Sequence, residues 1–198
     1  MKQMIRAVLC LAMLAVPMLV HADDMAGVPA GIRGELIMNL RDSGGKVTEL
    51  AGAIPESKWN WRPAKGVRSV GEVYLHIVGG NMMFPPMVGA TGGMTFEQGE
   101  SLDKTPKSKE ETVKMLKDSY AFLEKSLMDM SDADMDAQVE FFGHKMSKRA
   151  MMIVAVGHTH EHLGQSIAYA RMCGVTPPWT ARENEAAAKK AAEAKEKK

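Results

Sequence analysis

The chain has 198 residues, 45% of them hydrophobic, which is enough for one domain with a substantial core. Its 25 Lys and Arg residues nearly balance 24 Asp and Glu, for a formal net charge of +1. That balance gives no basic surplus to suggest nucleic acid or an anionic membrane as a partner; the partner expected from the site read below is a small-molecule substrate.

The N-terminus reads as an export signal. Lys2 and Arg6 form a basic start, residues 7–20 an apolar run broken by Pro17, and Val20-His21-Ala22 a small-residue cleavage site. The run is too short for a comfortable membrane span. Residues 1–22 are therefore expected to be a cleaved signal peptide, which predicts a periplasmic or secreted protein with no membrane contact after cleavage; an uncleaved anchor is the alternative. Removing Lys2 and Arg6 turns the net charge of +1 into −1. Cys10 falls inside the apolar run, so the mature chain keeps only Cys173 and no intramolecular disulfide is possible. A small buried apolar residue is the expected role for Cys173.

Four amphipathic segments follow. The first runs from about Ala30 to Ile54, with Ile32, Leu36, Leu40, Val47, Leu50 and Ile54 at helical spacing and a possible kink at Gly44-Gly45. A joint from Pro55 to Pro63 carries Trp59 and Trp61, whose rings are expected to cover the end of a core. Ser69 and Glu72 form a capping box that starts the second helix. Val73, His76, Ile77, Gly80, Met83 and Phe84 share one face of it, and Pro85-Pro86 are expected to stop it. His76 thus belongs to the apolar stripe.

A Gly-rich stretch, Gly89 to Gly99, precedes a third helix capped by Ser108 and Glu111, with Val113, Leu116, Tyr120, Leu123, Leu127 and Met130 on one stripe. Residues 132–147 are polar apart from Val139, Phe141 and Phe142 and read as loop, although a short hairpin would fit. The fourth helix spans about Lys148 to Cys173, with Met151, Val154, Ala155, His158, His162, Gln165, Tyr169 and Met172 on its stripe. Gly174 and then Pro177-Pro178 end it. From Ala181 the chain is Ala, Lys and Glu with little to bury, a solvated and partly helical tail over 181–198. The pattern predicts an all-α protein, an antiparallel four-helix bundle over residues 23–180.

The densest polar cluster is His158-Thr159-His160-Glu161-His162-Leu163-Gly164-Gln165. Residues four apart are neighbours on a helix, so His158 and His162 can ligate one ion, while His160 points the other way. His76 enters from the core face of another helix, and bundle cores are where ligands from facing helices meet. Three neutral imidazoles leave a coordination position open, which is the catalytic arrangement. The plainer reading is a set of hydrogen-bonded core histidines, but two such rings on one stripe need partners for their nitrogens.

The run Pro55-x6-Arg62-Pro63-x5-Ser69-x2-Glu72-x3-His76, then His158-x-x-Glu161-His162-x-Gly164-Gln165, then Arg171-x-x-Gly174-x-x-Pro177-Pro178, resembles the DinB-like superfamily over about residues 30–180. The resemblance implies a four-helix bundle, commonly a homodimer, with a metal on His76, His158 and His162. It gives Gln165 a place beside the ligands. Zinc is the expected ion, with Ni, Fe or Cu as alternatives that three imidazoles also suit. Some members look like transferases or isomerases that use a low-molecular-weight thiol, a chemistry that export places in doubt.

A hydrolase is the second reading, because His158-x-x-Glu161-His162 also fits the inverted zinc-protease pattern with Glu161 as general base. That protease class needs a larger two-part fold and a further acidic ligand, so a smaller hydrolase fits better. A non-catalytic metal-binding or sensing module is the third. Methionine pairs such as Met82-Met83, Met128-x-Met130 and Met151-Met152 suit Cu(I), though their helical stripes are where Met fills cores. A substrate cleft lined by Gln165, Tyr169, Met172, Met83 and Trp59 or Trp61 is expected to be mostly apolar.

Overall fold

The computed structural model describes residues 27–196; the expected signal peptide lies outside them. Four long helices carry the fold: α1 (Ile32–Ala53), α2 (Val70–Met87), α4 (Lys109–Asp129) and α6 (Lys148–Met172). Between them come the short helices α3 (Phe96–Ser101) and α5 (Asp132–Asp136), and a hairpin of β1 (Gln138–Phe141) and β2 (His144–Ser147). A last helix, α7, spans Pro178–Glu196. Both α1 and α2 pack against α4 and against α6, so the four long helices close a bundle with α1 and α2 on a diagonal. Among the described residues no helix is long and apolar enough to cross a membrane.

The core follows the stripes read from the sequence, except that Val154 and Met172 of the α6 stripe are exposed, at 40% and 62%. Leu40, Val47, Leu50 and Ile54 of the first segment meet Leu116, Leu123 and Leu127 of α4 and Met151 and Ala155 of α6, all nearly inaccessible. Met83, Met130, Met151 and Met152 are buried with them, as apolar filler. Cys173 is partly buried against this core, and burial pushes its thiol pKa up. Helix α1 runs unbroken through Gly44-Gly45. The reason is close packing: a Cβ at Gly44 would lie 2.8 Å from Cδ1 of Tyr120. Gly44→Ala is therefore expected to lower stability by about 1–3 kcal/mol despite better helix propensity, measurable by urea unfolding.

Three expectations are corrected. Pro85 and Pro86 do not stop α2; both lie inside its last turn. The missing N–H of Pro86 would strand the carbonyl of Met82, but the Met94 N–H donates to it at 2.9 Å, so the helix continues at little cost. The Gly-rich stretch contains α3, started by a Thr95–Gln98 capping box. It presses on α2 where a Cβ on Gly79 would meet the Gly99 carbonyl oxygen at 2.2 Å. Residues 132–147 are not loop. Strand β1 pairs antiparallel with β2, Val139 opposite Met146 and Glu140 opposite Lys145. Phe142 and Gly143 both take positive φ, 50° and 77°, as a tight two-residue hairpin turn requires. The polar segment after residue 181 is helical, and no residue of α7 is buried; its Arg182 pairs with Glu49 of α1.

Candidate metal centre

The start of α2 sets the position of His76. The Ser69 side chain accepts from the Glu72 N–H, and Glu72 Oε2 accepts from the Ser69 N–H at 2.8 Å. Glu72 Oε1 accepts from Arg62 Nη2 at 2.7 Å, while Arg62 Nη1 donates to the Val67 carbonyl at 2.7 Å. Burial works to raise the Glu72 pKa, but the Ser69 N–H and the Arg62 guanidinium win and hold it below the usual value. Thus Arg62, Ser69 and Glu72 tie the joint to the first turn of α2, and His76 follows one turn later on the buried face.

His76, His158 and His162 converge. Each offers a ring nitrogen within 4.8 Å of the others. Nε2 of His76 lies 3.2 Å from Nε2 of His158, and the ring centroids are 4.5–4.9 Å apart in edge-on arrangements. Two imidazole nitrogens bound at about 2.05 Å to a tetrahedral ion stand about 3.3 Å apart, so this spacing is that of a shared ligand shell. The donor chemistry agrees. Gln165 Oε1 can only accept, so at 2.8 Å it draws the proton onto His162 Nδ1 and leaves the Nε2 lone pair for an ion. Gln165 Nε2 in turn donates to the Tyr169 hydroxyl at 3.2 Å, which fixes the amide.

The electrostatics keep His76 and His158 neutral. Burial, followed by the Arg68 and His162 charges, lowers the His76 pKa to about 4, against a smaller opposing effect of Asp103. Burial, then His162, His76 and Arg68, lowers that of His158 to about 3. Neutral imidazole is the metal-binding form. Nδ1 of His76 and Nδ1 of His158 are buried with no hydrogen-bond partner among the described residues.

The His158 ring lies directly over Gly80, where a Cβ would come within 2.5 Å of Cε1, and edge-on to Phe84. Gly80 shares the His76 stripe, and nothing in its local sequence signals this role. His160 is exposed, with Nδ1 3.1 Å from the Val156 carbonyl of its own helix. Glu161 is exposed on the flank of α6, outside the convergent trio.

The expected apolar cleft is not what surrounds Gln165. Met172 is 62% exposed, Met83 is in the core, and Trp59 stacks on Tyr74, while Trp61 sits edge-on to Tyr169. Gln165 instead lines a polar cavity of about 720 Å³ with Arg62, Arg68, Glu72, Asp103 and Lys104. These come from the joint before α2, the first turn of α2 and the 3-10 turn Leu102–Lys104, where no shared periodicity announces a common site.

A helical bundle with three imidazoles converging on one point, two of them buried and one partly buried, defines a class, and the comparisons name it. The sequence model of the DinB superfamily matches residues 39–166, more than half of the chain, and the protein belongs to that superfamily. Its fold is similar to that of a DinB-like protein from Bacillus subtilis, at 20% identity and TM-score 0.58, covering 72% of this chain and 93% of that one. A DinB-like protein from Bacillus cereus aligns at 18% identity and TM-score 0.64, over 74% and 95% of the two chains. A conserved protein from Enterococcus faecalis aligns at 12% identity and TM-score 0.59, over 73% and 98%. No curated protein matches the sequence.

Proposed function

We propose that the protein is a metal-dependent enzyme, of transferase or hydrolase type, acting on a small substrate in the periplasm or outside the cell. The observation that carries the reading is the trio itself: three imidazoles from two facing helices, with no fourth His, Cys, Asp or Glu ligand in the group among the described residues. A divalent ion there, zinc first, supplies Lewis acidity that lowers the pKa of a water or thiol to working range. The chain's own residues do the rest. His76, His158 and His162 hold the ion, Gln165 fixes the His162 tautomer, and Glu161 is the exposed carboxylate nearest in sequence for accepting a proton. The location rests on the leader-like residues 1–22.

A non-catalytic metal-binding or sensing module is the second reading. The observation favouring it is burial: His76 is 8% and His162 7% exposed, which suits retention of an ion better than turnover at it.

Elemental analysis of the purified protein beside His76→Ala, His158→Ala and His162→Ala tests the common claim. Wild type should carry about one zinc per chain and each variant should lose it, because a two-imidazole remnant falls short of the usual three protein ligands. Equal metal in all four would refute the centre. Turnover of ester, amide or thiol-transfer substrates that falls in Glu161→Gln at unchanged zinc content supports the enzyme; no turnover by any form leaves the module.

A further inference from the structure

The cavity beside Gln165 has more donors than its acceptors use. Its lining sets three cations, Arg62, Arg68 and Lys104, against two carboxylates, Glu72 and Asp103. Both oxygens of Glu72 are taken, one by the Ser69 N–H and one by Arg62. Asp103, with a side chain only 3% exposed, accepts from Arg68 Nε at 2.6 Å. Among the described residues Arg68 donates nowhere else, so its two Nη groups keep their hydrogen-bonding capacity, and its side chain is 34% exposed. Lys104 Nζ stands 3.6 Å from the other Asp103 oxygen, beyond hydrogen-bonding distance, on a side chain 73% exposed. An arginine fork and an ammonium held beside each other by one buried carboxylate are a receptor for an anion.

The position of this receptor gives it a purpose. Gln165 belongs both to the cavity lining and to the metal centre, through its bond to His162. A volume of about 720 Å³ is in the range that holds a small metabolite.

We propose that this cavity is the anion subsite of the substrate: Arg68 and Lys104 receive a carboxylate or phosphate group of a small molecule and place the rest of it beside Gln165 and the three histidines. Its use in turnover rests on the metal-dependent reading above, whereas the binding of an anion does not. Arg62, committed to Glu72 and the Val67 carbonyl, frames the subsite and contributes charge.

The test is calorimetric titration of the full chain, zinc-loaded and chelated, with succinate and separately with inorganic phosphate. One of the two should bind with about one equivalent, and Arg68→Gln and Lys104→Gln should each weaken it about tenfold or more at unchanged zinc content. Preference for succinate assigns a carboxylate substrate, and preference for phosphate a phosphoryl one. Because Arg68→Gln strips buried Asp103 of its partner, Lys104→Gln, at an exposed position, carries the test independently of folding. Zinc binding without binding of either anion, or variants that bind as wild type does, overturns the subsite alone. Anion binding by a chain that takes no zinc keeps the subsite and overturns the metal-dependent function.

Discussion

Replacing Gly80 by alanine is expected to weaken zinc binding about 100-fold while changing the stability of the metal-free protein by no more than about 1 kcal/mol. The argument is one of distances. An added Cβ would stand 2.5 Å from Cε1 and 2.6 Å from Nδ1 of His158, where carbon needs about 3.5 Å. The ring is the far end of a side chain and gives way by about 1 Å, whereas a metal site tolerates about 0.2 Å in its ligand distances. So the ligand leaves its place and the helix does not. Alanine also has the better helix propensity, by about 1 kcal/mol, which offsets the cost of turning the ring. Competition with a zinc chelator measures the affinity, and thermal unfolding in excess chelator measures the fold. A variant that holds zinc as wild type does would show that His158 is not a ligand.

How much of this was legible in the sequence depends on what kind of signal each part sends. Ser69 with Glu72 announces a helix start because the cap is a local reciprocal bond, and His158 with His162 announces a pair because four residues make a turn. These features are short-range, and the structure places them as read. Gly80 is different. Its lack of a Cβ matters only to a ring 78 positions away in the chain, so no local rule flags it. The prolines of α2 misled for the same reason: the group that satisfies the Met82 carbonyl is the Met94 N–H, outside the helix. The hairpin turn was hidden because Phe142 occupies a positive-φ position where Asn or Gly is the usual sign. The polar cavity was hidden because Arg68 and Lys104 come from separate irregular segments and meet only around buried Asp103. An apolar cleft was expected because Met172 was extrapolated along the α6 stripe, which by that last turn has rotated into solvent.

Acid is expected to unfold the metal-free protein far more readily than neutral solution does, and to erase the stabilisation that zinc gives. Unfolded imidazoles protonate near 6.5, whereas in the folded chain burial holds His76 to about 4 and His158 to about 3. Between those values the unfolded state binds more protons, so stability falls as pH falls. The contribution is complete above about pH 6.5, declines as pH drops through that value, and is gone once pH is below the folded values. For the chelated protein the melting temperature should drop by about 10–20 °C between pH 7 and pH 4.5 from these two groups. Zinc raises the neutral-pH melting temperature by mass action on the folded state. Because ligation and protonation compete for the same nitrogens, the zinc-loaded and chelated curves should converge only once pH falls below the folded values of about 4 and about 3. The control is the double variant His76→Gln, His158→Gln, whose chelated melting temperature should depend less on pH over this window. An equal slope in wild type and double variant between pH 7 and pH 4.5 would mean that carboxylates elsewhere set the acid response, and curves with and without zinc that stay apart well below pH 3 would mean that the ion sits on other ligands.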